Sequence, residues 1–245
     1  MATETVFVLS DAHLGGVPDA VASALHAFLD AVPRAGDHVV INGDLFEFWF
    51  EYDSVIPRRA FPTLVRLAAA RDRGVRLTLT GGNHDRWGRG FWQREMGAGF
   101  HPGSVELTLS GWRALVAHGD GVAEQHRGAR VLHAVTRHPV TAALFRWVHP
   151  DLGHGLVARL SGILGERTRD PGVLDQAAAA QDAWARATLA ARSDLDLVVL
   201  GHTHRPVLAA VGAKRWYLNA GAWMDGFRYA VITERGPELR AYLPQ

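Results

Sequence analysis

The sequence predicts an α/β fold in which parallel strands are covered by helices. Short β-branched runs alternate with helical patterns in the N-terminal part of the chain, and the order strand, helix, strand, helix, strand is typical of a parallel sheet. Polar residues follow the ends of several apolar runs, as they do where functional loops leave such a sheet. With 245 residues and 48% hydrophobic content, the chain can fill a sizeable core.

The individual elements are predicted from the length and composition of each run. Apolar runs of strand length lie at 5–9, 38–41, 75–80, 105–109, 113–117 and 195–200, and further ones lie at 207–211, 216–218 and 228–233. Helical patterns lie at 19–32, where Pro18 and Asp19 give a start signal, and at 59–73, which Gly74 ends. We expect the three strands after Gly201 to form a mixed second sheet.

A long segment between the last two polar clusters predicts an insertion. About 80 residues separate Asp120 from Gly201, far more than an unstructured connection has. Helical patterns at 131–135, 140–148, 156–164 and 176–191 predict a helical lid at 121–193, inserted into a main domain of residues 1–120 and 194–245. The lid is apolar with interleaved arginines, which suits an acyl-chain groove or a membrane-facing surface. Packing against the main domain is the ordinary explanation of such a stripe.

Composition and charge narrow the class of protein. Lys and Arg number 26 and Asp and Glu number 25, so the formal charge of +1 argues against a broad nucleic-acid-binding surface, and we expect no nucleic-acid partner. Cysteine is absent, which excludes disulfides, thiolate nucleophiles and Cys-ligated zinc. A signal-peptide pattern and an apolar run of membrane-spanning length are also missing, so we expect a cytoplasmic protein.

Five polar clusters follow predicted strands, and such loops converge beyond the carboxyl ends of strands in open α/β sheets. Their metal-binding side chains are Asp11, His13, Asp44, Asn83, His118, His202 and His204. Oxygen and nitrogen donors without sulfur suit Mn²⁺, Zn²⁺, Fe or Ni²⁺ better than Ca²⁺ or Mg²⁺. Seven ligands suffice for two ions if one carboxylate bridges. We expect Asp11 and His13, and likewise His202 and His204, to point the same way because extended backbone repeats every two residues.

The five clusters resemble, in the same order, the motifs D-x-H, G-D, G-N-H-[DE], H-G-D and G-H-T-H of the calcineurin-like metallophosphoesterases. The resemblance implies a four-layer α-β-β-α sandwich with the active site at the strand ends, here with a helical lid insertion. It implies that one metal binds Asp11, His13, Asp44 and His204 and that the other binds Asp44, Asn83, His118 and His202. Asp44 would then bridge two divalent ions, for which we expect Mn, with Zn, Fe or Ni as alternatives.

A narrower resemblance is to the UDP-2,3-diacylglucosamine diphosphatases of lipid A biosynthesis. It is carried by SDAHLG, NGDLFEFWFEYD, GNHDRW, HGDG, GHTHRP and LNAGAW, and by LFRWVHPDLGHGL in the insertion. The resemblance implies cleavage of a nucleotide-linked lipid substrate to UMP and 2,3-diacylglucosamine 1-phosphate. With the apolar lid, it leaves open a peripheral contact with the cytoplasmic face of the inner membrane. Many of these enzymes have Arg where this chain has His84. A broader phosphodiesterase or phosphomonoesterase, and a non-catalytic metal-stabilised scaffold, are the alternatives.

The remaining polar residues of the clusters are assigned to catalysis and substrate binding. His84 is predicted to face the substrate as an acid or phosphate contact, and Asp85 is predicted to orient it. Asn83 is expected to lie close enough to contact the substrate as well. Arg86 and Arg205 flank the motifs and are predicted to pair with phosphate oxygens. Four residues are left between a structural role and a role in the cleft: Asp120, Trp49, Trp87 and Trp223.

Overall fold

Two stacked β-sheets form the centre of the molecule in a computed structural model that describes residues 4–122, 134–136, 138–157, 159 and 171–244. The described strands are β1 (Val6–Leu9), β2 (His38–Asn42), β3 (Arg76–Thr80), β4 (Gly99–His101), β5 (Val105–Leu109), β6 (Trp112–Val116), β7 (Leu197–Leu200), β8 (Val207–Gly212), β9 (Arg215–Asn219), β10 (Arg228–Thr233) and β11 (Gly236–Ala241). The first sheet has the order β11-β10-β1-β2-β3-β4, and the second has the order β5-β6-β7-β9-β8.

Parallel pairing characterises the part of each sheet that leads into the polar clusters. Strands β1 to β4 pair in parallel, and so do β6, β7 and β9. The other pairs are antiparallel, with β10 beside β1, β11 beside β10, β5 beside β6 and β8 beside β9. The carboxyl ends of β1, β2 and β3 therefore meet at one edge of the first sheet, and those of β6 and β7 meet at one edge of the second.

The prediction of a mixed second sheet is correct for β8 and β9 and wrong for β10, which lies in the first sheet. Strand β10 is apolar on both faces. Ala230 and Ile232 face the core between the sheets, whereas Tyr229 and Val231 pack on the side of the helices. A strand with two apolar faces needs a cover on both sides, and a position between β1 and β11 provides it.

Helices cover both outer faces of the stacked sheets. On the first sheet, α1 (Asp19–Ala31) and α2 (Phe61–Asp72) bury Leu25, Phe28 and Leu67. On the second sheet, α5 (Pro171–Ala191) buries Ala185 and Leu189. Fully burying a leucine or phenylalanine side chain stabilises the fold by about 1.5–3 kcal/mol, so these side chains help to hold the helices on the sheets. These layers confirm the predicted α-β-β-α sandwich.

The described part of the predicted lid contacts the main domain through aromatic rings. Its described helices include α4 (Pro139–Phe145), a helical stretch at 150–157 and α5, which packs on the second sheet, and a four-residue α3 (Phe91–Arg94) lies earlier in the chain. The Phe145 ring centroid lies 4.7 Å from that of Phe50, and His154 lies 4.9 Å from Phe48. Most of the predicted helices at 131–135 and 156–164 lies outside the described residues. The domain boundaries stay a prediction.

None of the described helices combines the length and the apolar character needed to cross a bilayer.

Candidate metal centre

The five polar clusters converge where the parallel strands of both sheets end. The loops after β1, β2 and β3 supply Asp11, His13, Asp44 and Asn83, and those after β6 and β7 supply His118, His202 and His204. Three groups have ligand atoms within 4.8 Å of one another: Asp11, His13 and His204; His13, Asp44 and His84; and Asp44, His118 and His202. Both sheets therefore contribute to one centre, as the positions of the clusters predicted.

An unusual backbone conformation presents five of these side chains. Positive φ angles are found at Asp11 (54°), His13 (47°), Asp44 (53°), His202 (69°) and His204 (56°). Such conformations cost about 1–3 kcal/mol each and concentrate at functional sites. The pairs two residues apart are therefore not presented by extended backbone, and that part of the prediction is wrong. The left-handed turns place Asp11 and His13 in one group but divide His202 and His204 between two.

Close backbone approach explains two of the glycines. A Cβ at Gly43, where φ is 79°, would lie 2.4 Å from Nδ1 of His118. A Cβ at Gly82 would lie 2.1 Å from Oδ1 of Asp44. Because a larger residue at either position would displace a candidate ligand, these glycines are part of the site's construction.

The first group surrounds Asp11. Its Oδ1 lies 3.4 Å from Nε2 of His204, and its Oδ2 accepts a hydrogen bond of 3.0 Å from the backbone N–H of His202. Nε2 of His13 lies 3.8 Å from Oδ2 of Asp44. The outward Nδ1 atoms of His13 and His204 face carboxylates, Glu47 Oε2 at 3.0 Å and Asp225 Oδ2 at 3.2 Å. The inward Nε2 atoms are left for a ligand.

The group of Asp44, His118 and His202 is centred on His118 and is called the second group below. Its Nε2 lies 3.1 Å from Oδ2 of Asp44, and its Nδ1 lies 2.9 Å from the backbone carbonyl oxygen of Asn42. The His202 ring lies against it, with 5.3 Å between the centroids. The backbone N–H of His84 donates to the other oxygen of Asp44 over 2.9 Å. Asp44 thus lies between the two groups.

Unpaired buried atoms test whether the site fits cations. Oδ1 of Asp11, Oδ1 of Asn83 and Nε2 of His118 are buried and form no hydrogen bond among the described residues, and the first and last of them have the charge contacts with His204 and Asp44 given above. A buried polar atom left unpaired costs about 1–3 kcal/mol, so such atoms call for an explanation. A carboxylate oxygen, an amide oxygen and an imidazole nitrogen are donors that fit divalent cations.

The charges in the centre reinforce this fit. Burial raises the pKa of Asp44, but the neighbouring His118 and His84 outweigh it and hold the pKa well below the usual range. Burial lowers the pKa of His118, but Asp44 and Asp11 outweigh burial and hold it well above the usual range. Burial, followed by the charge of His118, lowers the pKa of His202 to about 4. Buried carboxylates thus set the potential of the site, and they attract positive charge.

The structure corrects the predicted role of Asp85. Its carboxylate accepts hydrogen bonds from the backbone N–H groups of Asp44 (3.1 Å), Leu45 (2.7 Å) and Gly82 (2.8 Å), and not from the His84 side chain. Burial and the charge of Asp44 raise its pKa to about 6. Asp85 therefore ties two ligand loops together. The predicted partner lies elsewhere, because Nδ1 of His84 lies 2.7 Å from the backbone carbonyl oxygen of Glu47.

Both flanking arginines pair with carboxylates. Arg86 forms a buried ion pair with Asp120, which joins the loops after β3 and β6. Arg205 lies 2.7 Å from Asp175 on α5 and is more exposed. These contacts differ from the predicted phosphate contacts and explain the position of Asp120.

The three tryptophans divide between the core and the lid. Trp49 and Trp223 have no exposed surface and belong to the core of the first sheet. Trp87 donates its Nε1–H to the carbonyl oxygen of Thr136 over 3.1 Å, so it connects the main domain to the lid.

Three residues that contribute to the centre were missed from the sequence: Glu47, Asp225 and Gln181. Glu47 carried a usable signal, because a carboxylate inside the aromatic run FEFWF needs a partner. Gln181 follows four alanines on α5 and is almost fully buried, where its side chain contacts the carbonyl oxygens of Gly119 and Gly201. Asp225 lies in a loop without a recognisable pattern.

Comparison with known proteins gives results that agree with this geometry. The sequence model described as calcineurin-like phosphoesterase matches residues 4–206. A protein of Porphyromonas gingivalis named UDP-2,3-diacylglucosamine hydrolase is 29% identical, over 92% of this chain and 93% of its own length. Proteins of the same name from Xanthomonas oryzae pv. oryzae (30% identical, over 85% and 86%) and Salmonella arizonae (27% identical, over 97% and 98%) are also similar.

The matched segment includes all seven candidate ligands, from Asp11 to His204. The family comprises metal-dependent hydrolases, which explains the convergence of carboxylates and imidazoles in the loops of both sheets. Because the match extends over most of the chain, this protein belongs to the calcineurin-like phosphoesterase family.

Proposed function

We propose that the protein is a dinuclear metal-dependent hydrolase that cleaves the pyrophosphate of UDP-2,3-diacylglucosamine to UMP and 2,3-diacylglucosamine 1-phosphate. The observation that carries this proposal is the pair of ligand groups on either side of Asp44, next to a large cavity under the lid. The names of relatives that are 27% to 30% identical support the substrate. The reaction class follows from the family.

Two cation positions are proposed, with Asp44 shared between them. The first consists of Asp11, His13, Asp44 and His204, and the second consists of Asp44, Asn83, His118 and His202. When bound, the cations supply charge that polarises phosphoryl oxygens and lowers the pKa of water. Mn is the expected metal, and the nitrogen and oxygen donors also suit Zn, Fe or Ni.

His84 is proposed to act on the substrate. Its ring lies edge-on to that of His13, with 4.8 Å between the centroids, and it remains partly exposed. With Nδ1 held by the carbonyl oxygen of Glu47, the Nε2 atom is left to face a phosphate. From there His84 can donate a proton to a leaving group or stabilise charge on a phosphoryl oxygen. Asn83, Arg86 and Arg205 stay proposed substrate contacts. To bind a phosphate, the two arginines would have to leave their carboxylate partners, Asp120 and Asp175.

The acyl chains are proposed to enter the cavity beside the centre. This cavity has a volume of about 660 Å³, and Glu47 and Leu14 on its wall place it next to the metal ligands. Phe48, Val55 and Ile56 line it from the main domain, and the lid adds further wall residues, among them His154 and Val157. Mostly apolar walls with a few charged groups are typical of cavities that receive an amphiphile.

The outer surface of the lid is proposed to contact a membrane. It carries a set of exposed apolar side chains at Val140, Leu144, Trp147, Leu152 and Leu156. Large exposed apolar surfaces of this kind mark binding sites for proteins or lipids. A diacylated substrate resides in a bilayer, so we place this surface on the cytoplasmic face of the inner membrane.

Product analysis tests the proposed function. Incubation of the protein with UDP-2,3-diacylglucosamine and Mn²⁺ should release UMP and 2,3-diacylglucosamine 1-phosphate in equal amounts. The same preparation of Asp44→Asn serves as the control for contaminating phosphatases. Rapid hydrolysis of a nitrophenyl phosphodiester or phosphomonoester without release of UMP would instead establish the broader phosphoesterase. Absence of all hydrolysis with both cations bound would indicate the scaffold.

A further inference from the structure

We infer that the two cation positions are built with different kinds of support. Glu47 and Asp225 are positioning residues for the first position only, and Gln181 is a positioning residue for the second. The inference rests on the proposed two-cation arrangement. It concerns the groups behind the ligands, which neither the motifs nor the family match assigns.

Carboxylates support the histidines of the first position. Nδ1 of His13 lies 3.0 Å from Glu47 Oε2, and Nδ1 of His204 lies 3.2 Å from Asp225 Oδ2. With Nε2 facing the cation, Nδ1 carries the proton and donates it to the carboxylate, which fixes both the tautomer and the ring plane. The two rings face each other with 5.6 Å between their centroids.

The second position lacks this arrangement at His118, whose Nδ1 faces the neutral backbone carbonyl of Asn42 at 2.9 Å. Its support comes from the buried amide of Gln181. The Nε2 atom of this amide donates to the carbonyl oxygens of Gly119 (3.3 Å) and Gly201 (3.2 Å). These glycines directly follow His118 and directly precede His202, so one side chain fixes the spacing of two ligand loops.

The rest of the Gln181 amide is also engaged. Its Oε1 accepts from the hydroxyls of Thr203 and Tyr217 and from Nδ2 of Asn219, each over 3.4 Å. A Cβ at Gly119 would lie 2.5 Å from its Nε2, so the loop approaches the amide as closely as the chain permits. Gln181 therefore cannot shift without moving the loops that carry His118 and His202.

Loss of a hydrogen-bond partner behind a metal ligand lowers metal affinity by about 10–100-fold. Because Glu47 and Asp225 support one proposed position and Gln181 supports the other, each substitution should lower the affinity for one cation only. Glu47→Gln and Asp225→Asn keep the shape of each side chain but replace the charged acceptor by a neutral amide. Glu47→Gln also keeps the backbone carbonyl that contacts His84. Gln181→Met keeps the length of the side chain and removes the N–H donors to Gly119 and Gly201 together with the acceptor oxygen.

The experiment is a titration of the metal-free protein with Mn²⁺ alone. Equilibrium dialysis with elemental analysis gives the number of bound ions and their dissociation constants, and electron paramagnetic resonance reports whether two ions are coupled. We expect two ions in the unaltered protein. Glu47→Gln and Asp225→Asn should each weaken one of them about 10–100-fold, and Gln181→Met should weaken the other by a similar factor. The matched controls, Glu95→Gln and Asp53→Asn, should change neither constant.

Ligand variants assign each loss to a position. In a His118→Ala background, which removes the second position, Glu47→Gln should still weaken the remaining ion. In a His13→Ala background it should have no further effect. Equal weakening of both ions by Glu47→Gln, or no weakening in a variant whose metal-free unfolding temperature is unchanged, would overturn the inference. Fewer than two ions in the unaltered protein would instead overturn the proposed two-cation arrangement.

Discussion

Among single residues, Asp44 has contacts with both ligand groups. Oδ2 lies 3.1 Å from Nε2 of His118 and 3.8 Å from Nε2 of His13, and Oδ1 accepts the backbone N–H of His84. Its own backbone N–H donates to Asp85, which fixes the turn that carries it. One carboxylate in this position can serve two cations at once.

We therefore expect Asp44→Asn to weaken both cations. An amide offers one neutral oxygen where the carboxylate offers two charged ones, so metal content should fall from two ions per chain towards none. Activity should fall by more than about 100-fold, beyond the loss typical of a supporting residue. Elemental analysis after dialysis measures the first effect, and two tightly held ions in this variant would contradict the bridge.

The contribution of His84 to the rate is expected to depend on how basic the leaving group of the substrate is. General acid catalysis is worth about 10²–10⁴-fold for a basic leaving group, whereas a phosphate monoester, with a second pKa of about 6, leaves without protonation. His84→Ala should therefore slow an alkyl phosphodiester much more than the UDP-linked sugar, and His84→Arg should partly restore the latter. Comparison of kcat/KM for both substrates tests this. Equal losses without rescue by arginine would contradict it.

The convergence of the candidate ligands was predictable from sequence, and the contacts of the residues behind them were not. Each candidate ligand lies two to four residues beyond the end of a recognisable strand, so its place at the sheet edge follows from the pattern alone. Glu47 and Asp225 reach their histidines from other loops, and no local spacing encodes those contacts. The same limit produced the wrong partner for Asp85, whose three backbone donors depend on how two loops pack.

At the scale of elements, most strands were predicted from the sequence, and the two that were missed, β4 and β11, are the edge strands of the first sheet. The bounds of β5 and β10 are those that the sequence pattern indicates. Strand β4 has three residues and pairs only with β3, and β11 contains Pro237 and is mostly exposed. Edge strands need neither length nor an apolar alternation, because only one side is paired.

The cavity between the lid and the main domain gives a prediction about acyl chains. Val55 lines it and is 48% exposed, so Val55→Glu should leave the fold intact and place a charge on an apolar wall. We expect KM for the diacylated substrate to rise about 10-fold or more and KM for its deacylated analogue to change little. The matched control is Val65→Glu on α2, which is 46% exposed and lies outside the cavity wall. Equal effects on both substrates would contradict an acyl-binding role.

The outer surface of the lid gives a separate prediction. Trp147 is 91% exposed, and its replacement by Glu removes the largest apolar side chain of that surface without removing a packing contact of the core. Trp147→Glu should lower the fraction of protein that sediments with lipid vesicles and leave the unfolding temperature unchanged. Leu243→Glu, at an exposed position near the C-terminus, is the control. A similar loss of vesicle binding in both variants would show that the lid surface has no special role in contacting lipid.

At the scale of the whole molecule, polar clusters lie at both ends of the first sheet. Opposite the metal centre, the buried His38 lies 2.8 Å from Thr78 Oγ1 through Nε2 and 2.9 Å from Arg76 Nη2 through Nδ1. Glu4 lies 3.9 Å away and also pairs with Arg76. Because Nδ1 faces a guanidinium donor, the ring is neutral, and burial and Arg76 lower its pKa from 6.5 to about 3.

This cluster should make the fold sensitive to acid. Between pH 6.5 and about 3 the unfolded chain binds a proton at His38 that the folded chain does not, so stability falls as the pH falls through this window. At pH 5 the loss is about 2 kcal/mol, since one pKa unit corresponds to 1.36 kcal/mol. The free energy of unfolding, measured with denaturant at pH 7, 6 and 5, should fall by about 2 kcal/mol less in His38→Gln than in the unaltered protein. An identical decline in both proteins would contradict the proposed burial of a neutral histidine.

The division of the ligands between the two sheets determines when, during synthesis, the centre can exist. The proposed first position needs Asp11 and His13 from the beginning of the chain and His204 from near its end, and the second needs His202 in the same way. A nascent chain that has emerged only as far as the loop after β3 holds three of the four proposed ligands of the first position and two of the four of the second. Neither proposed position is therefore complete before the loop after β7 has been synthesised, and a fragment that ends before Gly201 should be unable to hold either cation as the longer chain does.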